Sequence, residues 1–344
     1  MKAISFVIMA MFTLAVSAEK IPPAILREMA KDKTRGYGEL YGAKAKECFY
    51  VVDQDGKPVE DARITGAFWT GGGMNDYEPV DGLTNTNGEY VAEGKSKYKL
   101  RYTVSKDGYY STNGEVPYVG TRSVPAVKDG KWQPYGTKRT VVLKRIINPM
   151  RQKVFPGELH RVYIPIFKEW LGFDLEVFDW VAPYGKGQNK DVLLLFSARK
   201  EKYNNFEYHM DVSFTNQLYG GAYKSKKDDF SDFKTPYKAN TNKMFQQSFS
   251  FVESSKPSLP KVWNFLRNDS CLVFRTRTKV DNEKRLISAH YGIILGDWTF
   301  GDKYMIISDG CFNPIPNDTN LEDGYYLRKR IRERKERQKV SSQR

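Results

Sequence analysis

The chain has 344 residues, 28% of them charged and 14% aromatic, with a net charge of +14 and three cysteines. That length supports two ordinary domains with two separate cores, and the lack of a CxxC pair excludes a zinc or redox centre of that type. Residues 328–344 carry nine Lys or Arg against two Glu, half of the net charge, so the pI of 9.4 is largely a property of the tail.

In chain order, Met1-Lys2 is followed by an apolar run from Ala3 to Val16 and by the small residues Ser17-Ala18. A basic start, a short apolar core and a small-residue exit read as a secretory signal peptide over residues 1–18. The alternative, a membrane anchor, needs a longer run. No Cys follows to carry a lipid, and no later stretch is apolar enough to span a bilayer. The expectation is a secreted or periplasmic protein with no integral span after cleavage. Residues 19–44 read as a linker or as a short helix opened by Pro22-Pro23, with the stripe Ala24, Ile25, Leu26, Met29 and Ala30. Export would place Cys48, Cys271 and Cys311 in an oxidising compartment, which permits one disulfide and leaves one thiol. Cys271 and Cys311 each adjoin a strand-like run and are the preferred pair; three buried thiols are the alternative.

Residues 45–147 alternate short strand runs with turns. Cys48 to Val52 is strand-like, and Asp53-Gln54-Asp55-Gly56-Lys57-Pro58 has turn composition. Leu83 to Tyr90 reads as a strand end, an Asn-Gly turn and a new strand. Tyr98, Leu100, Tyr102 and Val104 alternate, and Lys138 to Leu143 closes the unit. Strands at this spacing without a helical period predict an antiparallel sandwich. Gly71–Asp81 and Glu115–Pro134 are candidate recognition loops.

Three segments of this region carry a resemblance: Val52 to Ile64, Thr84-Asn85-Thr86-Asn87-Gly88-Glu89-Tyr90, and Lys106-Asp107-Gly108-Tyr109. In that order they resemble the carboxypeptidase regulatory-like family. The resemblance implies a seven-stranded transthyretin-like or Ig-like sandwich, usually an accessory module, with no catalytic residue to carry over.

Residues 148–326 read as a second β-rich, sandwich-like domain, so the expected fold class is all-β throughout. Val192 to Phe196 reads as a buried strand and Phe206 to Phe214 alternates. Leu272–Phe274, Ala289–Leu295 and Tyr304–Ile307 are further strands, and Lys224 to Lys243 is a polar, irregular insertion. The segments Gly172–Glu176, Asp179–Gly187 and Phe312–Asp318 resemble parts of uncharacterised secreted bacterial proteins, which implies no activity.

Chemistry is sparse. His160, His209 and His290 show no metal-ligand spacing. Asp53-Gln54-Asp55-Gly56 lacks the fifth and twelfth ligands of a calcium loop, where Lys57 and Ile64 stand. There is no GxSxG elbow. Cys271 or Cys311 with His290 is the only Cys–His option, and a secreted strand cysteine reads as structural or disulfide-bonded. The catalytic grouping carried forward for a hydrolase is Asp174, Glu176 and Asp179, because paired carboxylates beside aromatic residues can cleave glycosides; a solvated strand edge is the alternative. For ligand binding, Trp69 and Trp132 lie in polar company and are candidate stacking residues, whereas Trp170, Trp180, Trp263 and Trp298 read as core. The tail, residues 327–344, has too few apolar residues to bury a face and reads as a frayed helix or as disordered. It is either a solubilising segment or a contact for acidic envelope polymer or lipid headgroups; nucleic acid is not an expected partner of an exported chain. The reading is a binding or structural module of the cell envelope or exterior, without cofactor or metal and with glycan as a candidate ligand, against the alternative of a secreted hydrolase.

Overall fold

A computed structural model of the chain describes residues 42–71, 76–118, 127–149, 153–156, 160–202, 205–214, 218–228, 230–255, 270–295, 298–307 and 309–324. The signal peptide, most of the 19–44 segment, Trp263 and the basic tail lie outside the described residues. The fold is all-β, with strands and no helix among the described residues. The chain forms two compact units: residues 1–107 with 111–143, and residues 108–110 with 144–344.

The first unit is built on β1 (Ala43–Asp53), β2 (Arg63–Trp69), β3 (Tyr77–Leu83), β4 (Glu89–Ser96) and β5 (Lys99–Ser105). The dipeptide strand β6 (Tyr109–Tyr110) belongs to the second unit. Then come β7 (Thr112–Pro117), the short hairpin β8 (Val127–Lys128) and β9 (Lys131–Trp132), and β10 (Thr137–Arg145). One sheet runs β3-β2-β5-β7, all antiparallel. In the other, β1 pairs antiparallel with β4 and parallel with β10. The two sheets meet through Phe49 and Tyr102, whose rings stand edge to face at 4.9 Å. Phe68 reaches from β2 to the backbone of Gly94 on β4. Phe49, Ile64, Phe68, Leu100, Val104 and Leu143 are almost fully buried, each worth about 1.5–3 kcal/mol of transfer free energy.

The resembling segments have structural duties here. Asp53 accepts hydrogen bonds from Asp55 N and Lys57 N at 2.9 Å each, as an Asp-headed turn requires. The Thr84 hydroxyl, buried, accepts from Ala62 N and donates to Val59 O. Asn85 Oδ1 accepts from Asn87 N and Glu89 N. Gly88 has φ +74°, and a Cβ there would lie 2.3 Å from the Val51 carbonyl oxygen, so only glycine fits. The expected loop over Gly71–Asp81 is shorter than its composition suggests, because β3 begins at Tyr77; the cross-strand pairs Trp69↔Tyr77 and Phe68↔Glu78 are formed. Likewise β7 and the β8–β9 hairpin occupy described parts of Glu115–Pro134.

The second unit adds β11 (Lys153–Val154), β12 (Val162–Tyr163), β13 (Trp170–Asp174), β14 (Asp179–Trp180), β15 (Val192–Lys202), β16 (Asn205–Ser213), β17 (Gly221–Lys226) and β18 (Ser248–Ser254). It closes with β19 (Ser270–Val280), β20 (Leu286–Ile294), β21 (Trp298–Phe300), β22 (Tyr304–Ile307) and β23 (Gly310–Asn313). One sheet runs β14-β13-β15-β16-β18, a second β11-β23-β20-β19-β17, and a third, small one β12-β22-β21. A single core joins all three: Phe173, Leu194, Phe196, Met210 and Val212 pack with Leu272, Phe274, Ile294 and Phe312, and with Met305 and Ile307. The opposite face of the second sheet is also covered. Val273, Ile293 and Cys311 pack with Ala239, Phe245 and Leu321. The segment expected to be a polar insertion therefore brings Phe233 and Ala239 inside, and Phe245 just beyond it is buried as well. This explains why β19 and β20 carry apolar residues on both faces.

One expectation is corrected. Cys271 and Cys311 do not form a disulfide. Cys311 pairs with Ile293 on β20, and Ile293 pairs with Val273 on β19, so a whole strand lies between the two thiols. Two strand spacings are about 9–10 Å, beyond the roughly 7 Å Cα limit for a bridge. The Phe312–Asp318 segment is a closed polar turn: buried Asn313 donates from Nδ2 to Asp318 O and Asn320 O and accepts from Ile315 N.

Candidate functional site

The carboxylates singled out from sequence converge on a residue that sequence did not mark. Arg277 sits at an irregularity of the β19–β20 pairing, with φ +51°. This left-handed conformation turns its side chain out of the regular alternation. Its guanidinium donates to Asp191 Oδ1 at 2.9 Å and Oδ2 at 3.0 Å, to Asp174 Oδ1 at 3.0 Å, and to Glu176. It also lies over the Phe312 ring, 4.5 Å from the centroid.

Asp174 and Asp191 are fully buried. Asp174 accepts from the backbone N–H groups of Glu176, Val177, Gln188 and Asn189. Burial pushes its carboxyl up, but the N–H donors of Asn189, Val177 and Gln188, with Arg277, outweigh that and hold it below the ordinary Asp value. Asp191 accepts from Leu175 N and Thr276 Oγ1 as well, yet burial dominates and its carboxyl is raised despite Arg277. Asp179 is a turn anchor, accepting from Trp180 N and Lys186 N.

A glycosidase pair needs one carboxylate free to attack or deprotonate and one acid free to protonate. Here Asp174 is saturated by donors, Asp179 closes the loop 180–186, and Glu176 is bound to Arg277. The cluster ties β13, β15 and β19 together and fixes the loop over residues 175–190. Among the described residues, no group of His, Cys, Asp or Glu is arranged to hold a metal ion.

The tryptophans are redistributed. Trp132 is buried: its Nε1 donates to Ser96 O at 2.8 Å and its ring stacks on Tyr118 at 5.7 Å. A ring held that way offers no face to a ligand, which corrects its candidacy. Trp69 is half-buried, with Lys99 Nζ 6.0 Å and the Arg101 guanidinium 5.6 Å from its centroid, both ion-paired to Glu115. Trp180 and Trp298 are core residues, as read. Trp170, read as core, is 51% exposed.

Trp170 stands on the outer face of the β14-β13-β15-β16-β18 sheet. Strand alternation sends Leu171, Leu194, Met210 and Phe249 into the core and their neighbours outward. Across that outer face, Trp170 pairs with Leu195, Leu195 with Asp211, and Asp211 with Ser250. Ser250 Oγ donates to Asp211 Oδ1 at 2.6 Å. In the next row, Ser197 pairs with His209 and His209 with Val252; His209 Nε2 lies 2.7 Å from Glu207 Oε1. An aromatic platform beside hydroxyl, carboxylate and imidazole groups thus lies on a hydrogen-bonded sheet, which holds a site more rigidly than a loop does. The signal was present in sequence: Trp170 is out of phase with Leu171 and Phe173 once β13 is paired. Only the pairing shows it.

No family model matches the chain, and no curated protein matches it. Solved structures with partial likeness include 3-chlorocatechol 1,2-dioxygenase from Rhodococcus opacus, at 14% identity over 30% of this chain and 61% of that one, TM-score 0.24. A streptococcal ancillary pilin matches at 11% identity over 63% of this chain and 60% of its own, TM-score 0.21. A DUF3823 family protein from Parabacteroides merdae matches at 9% identity over 79% and 99%, TM-score 0.19. The chain spans about three-fifths of the length of the first two. Scores this low assign neither a common whole-chain fold nor an activity.

Proposed function

We propose that the protein is a non-enzymatic, exported binding module that docks on envelope or extracellular glycan through the outer face of the β13–β18 sheet. The observation that carries this is Trp170, half-exposed on a rigid sheet face beside Leu195, Asp211 and Ser250. An indole offers a flat apolar face to a sugar ring, while Asp211 and Ser250 offer acceptor and hydroxyl to its hydroxyls. The face crosses four hydrogen-bonded strands from Trp170 to Ser250, about 14 Å at normal strand spacing, which suits an extended polymer. The locked carboxylates around Arg277 argue for binding without cleavage.

The test is binding of the full chain to a panel of polysaccharides and peptidoglycan, with Trp170→Ala as the comparison. We expect the substitution to weaken binding at least tenfold, as truncation of a central aromatic anchor commonly does. Equal binding by W170A would overturn the site, and no binding across the panel would overturn the glycan ligand. Deleting residues 328–344 separates the tail: undiminished binding assigns the contact to the sheet face.

A further inference from the structure

We propose that the second unit holds a separate pocket for one neutral, hydroxyl-rich ring of pyranose size, between the end of β18 and the β21–β22 turn. This does not depend on Trp170, which points out of the other side of its sheet. The pocket has a volume of about 220 Å³ and is lined by Tyr208, Glu253, Phe300, Gly301, Asp302 and Tyr304, among others. Pockets for drug-sized ligands run about 300–1,000 Å³, so this one suits a smaller guest.

The lining selects by charge. Glu253 pairs in register with Tyr208, at the end of the row that buries Phe249 and Phe251. Its half-buried carboxyl has no hydrogen bond or ion pair among the described residues, and burial pushes it above the ordinary Glu value. Asp302 is already satisfied by Lys200 at 2.8 Å. Lys303 lines the pocket and Arg161 covers the Tyr304 ring at 4.7 Å. Asp302 and Lys200 compensate each other, and the lining holds both Glu253 and Lys303, so a guest of either charge meets a like charge as well as an opposite one. A neutral polyol incurs no like-charge penalty. It can engage both oxygens of Glu253 and lay its apolar face against Phe300 and Tyr304.

Gly301 provides a probe, because a Cβ there would meet nothing within 4 Å and its φ lies outside the left-handed region. Gly301 lines the pocket, so a bulky residue there is expected to narrow it, and the thermal midpoint reports whether the core is disturbed.

The experiment is ligand-observed NMR and calorimetry on the full chain with glucose, galactose, N-acetylglucosamine, glucosamine and glucuronic acid. We expect saturable binding of at least one neutral sugar, tighter than that of the charged ones. Glu253→Leu and Gly301→Leu should each weaken it at least tenfold, while Glu253→Gln stays within about threefold because the amide still hydrogen-bonds. W170A should bind the monosaccharide as wild type does. If W170A abolishes polysaccharide binding but monosaccharide binding persists, both sites stand. If no neutral sugar binds, if a charged sugar binds better, or if G301L binds like wild type with unchanged thermal stability, the pocket assignment is wrong, whatever happens at Trp170.

Discussion

Replacing Arg277 by leucine tests whether the carboxylate cluster is a structural clamp. The substitution removes the cation shared by Asp174, Glu176 and Asp191, two of which are fully buried. Asp174 keeps its four backbone N–H donors and is only partly orphaned. Asp191 keeps Leu175 N and Thr276 Oγ1 but loses both guanidinium contacts. Removing one partner of a buried ion pair costs about 3–5 kcal/mol. The donors left on Asp174, and the smaller desolvation of leucine, place this case near the lower end, about 3 kcal/mol. For a unit of roughly 200 residues that lowers the midpoint by about 6–12 °C. The sign with pH follows from Asp191. Its raised carboxyl contributes stability that is complete below the unfolded pKa and is lost as pH rises through the folded value. Without Arg277 the neutral acid persists to higher pH, so the deficit of R277L should shrink as pH is lowered through the raised Asp191 value. Asp191→Asn in the R277L background should restore at least half of the loss. Urea denaturation followed by tryptophan fluorescence, at pH 7 and pH 5, measures all of this. A loss below about 1 kcal/mol at pH 7, or no rescue by D191N, would refute the clamp and reopen these carboxylates to chemistry.

Gly88→Ala should destabilise the first unit by about 1–3 kcal/mol, because it combines a left-handed φ with a Cβ pressed on Val51 O; a thermal midpoint equal to wild type would contradict the turn geometry. Tyr110→Phe removes the 2.9 Å bond from its hydroxyl to buried Glu322, which also accepts from Ile147 N and Asn148 N. A cost of about 1–2 kcal/mol is expected by chemical denaturation, and a neutral result would show that this bond is not maintained in solution. Buried Glu47 has its carboxyl raised by burial, against the pull of Arg139. Its contribution should fall as pH rises through that raised value, and Glu47→Gln should flatten the pH–stability curve above pH 5, in the range beyond an ordinary Glu pKa; parallel curves would remove Glu47 as the cause. The Cys271 thiol, pushed up to about 12 by burial, should resist a thiol reagent at pH 8 until the chain is unfolded. A Cys271–Cys311 peptide in a non-reducing digest would overturn the strand register given above.

Much of the first unit is determined locally. Asp53, Thr84, Asn85 and Gly88 form turns within a few residues of themselves or bond to one neighbouring segment, so their type and spacing predict their geometry. Leu100 and Val104 face inward because strand alternation has a fixed period of two. What the sequence could not determine lies in contacts between segments far apart. Asp174 and Arg277 are 103 residues apart, and only the packing of β19, in one sheet, against the sheet that holds β13 and β15 turns three suspected catalytic carboxylates into a clamp and a turn anchor. The covering of both faces of β19 and β20 makes the supposedly polar segment around Phe233 and Ala239 part of the interior. The same holds for tryptophan: Trp132, in polar company, is buried and Trp170, in more apolar company, is exposed, because exposure depends on which face of which sheet a residue occupies. That face is set by register with strands elsewhere in the chain, which is why tertiary structure buried one of these rings and left the other in water.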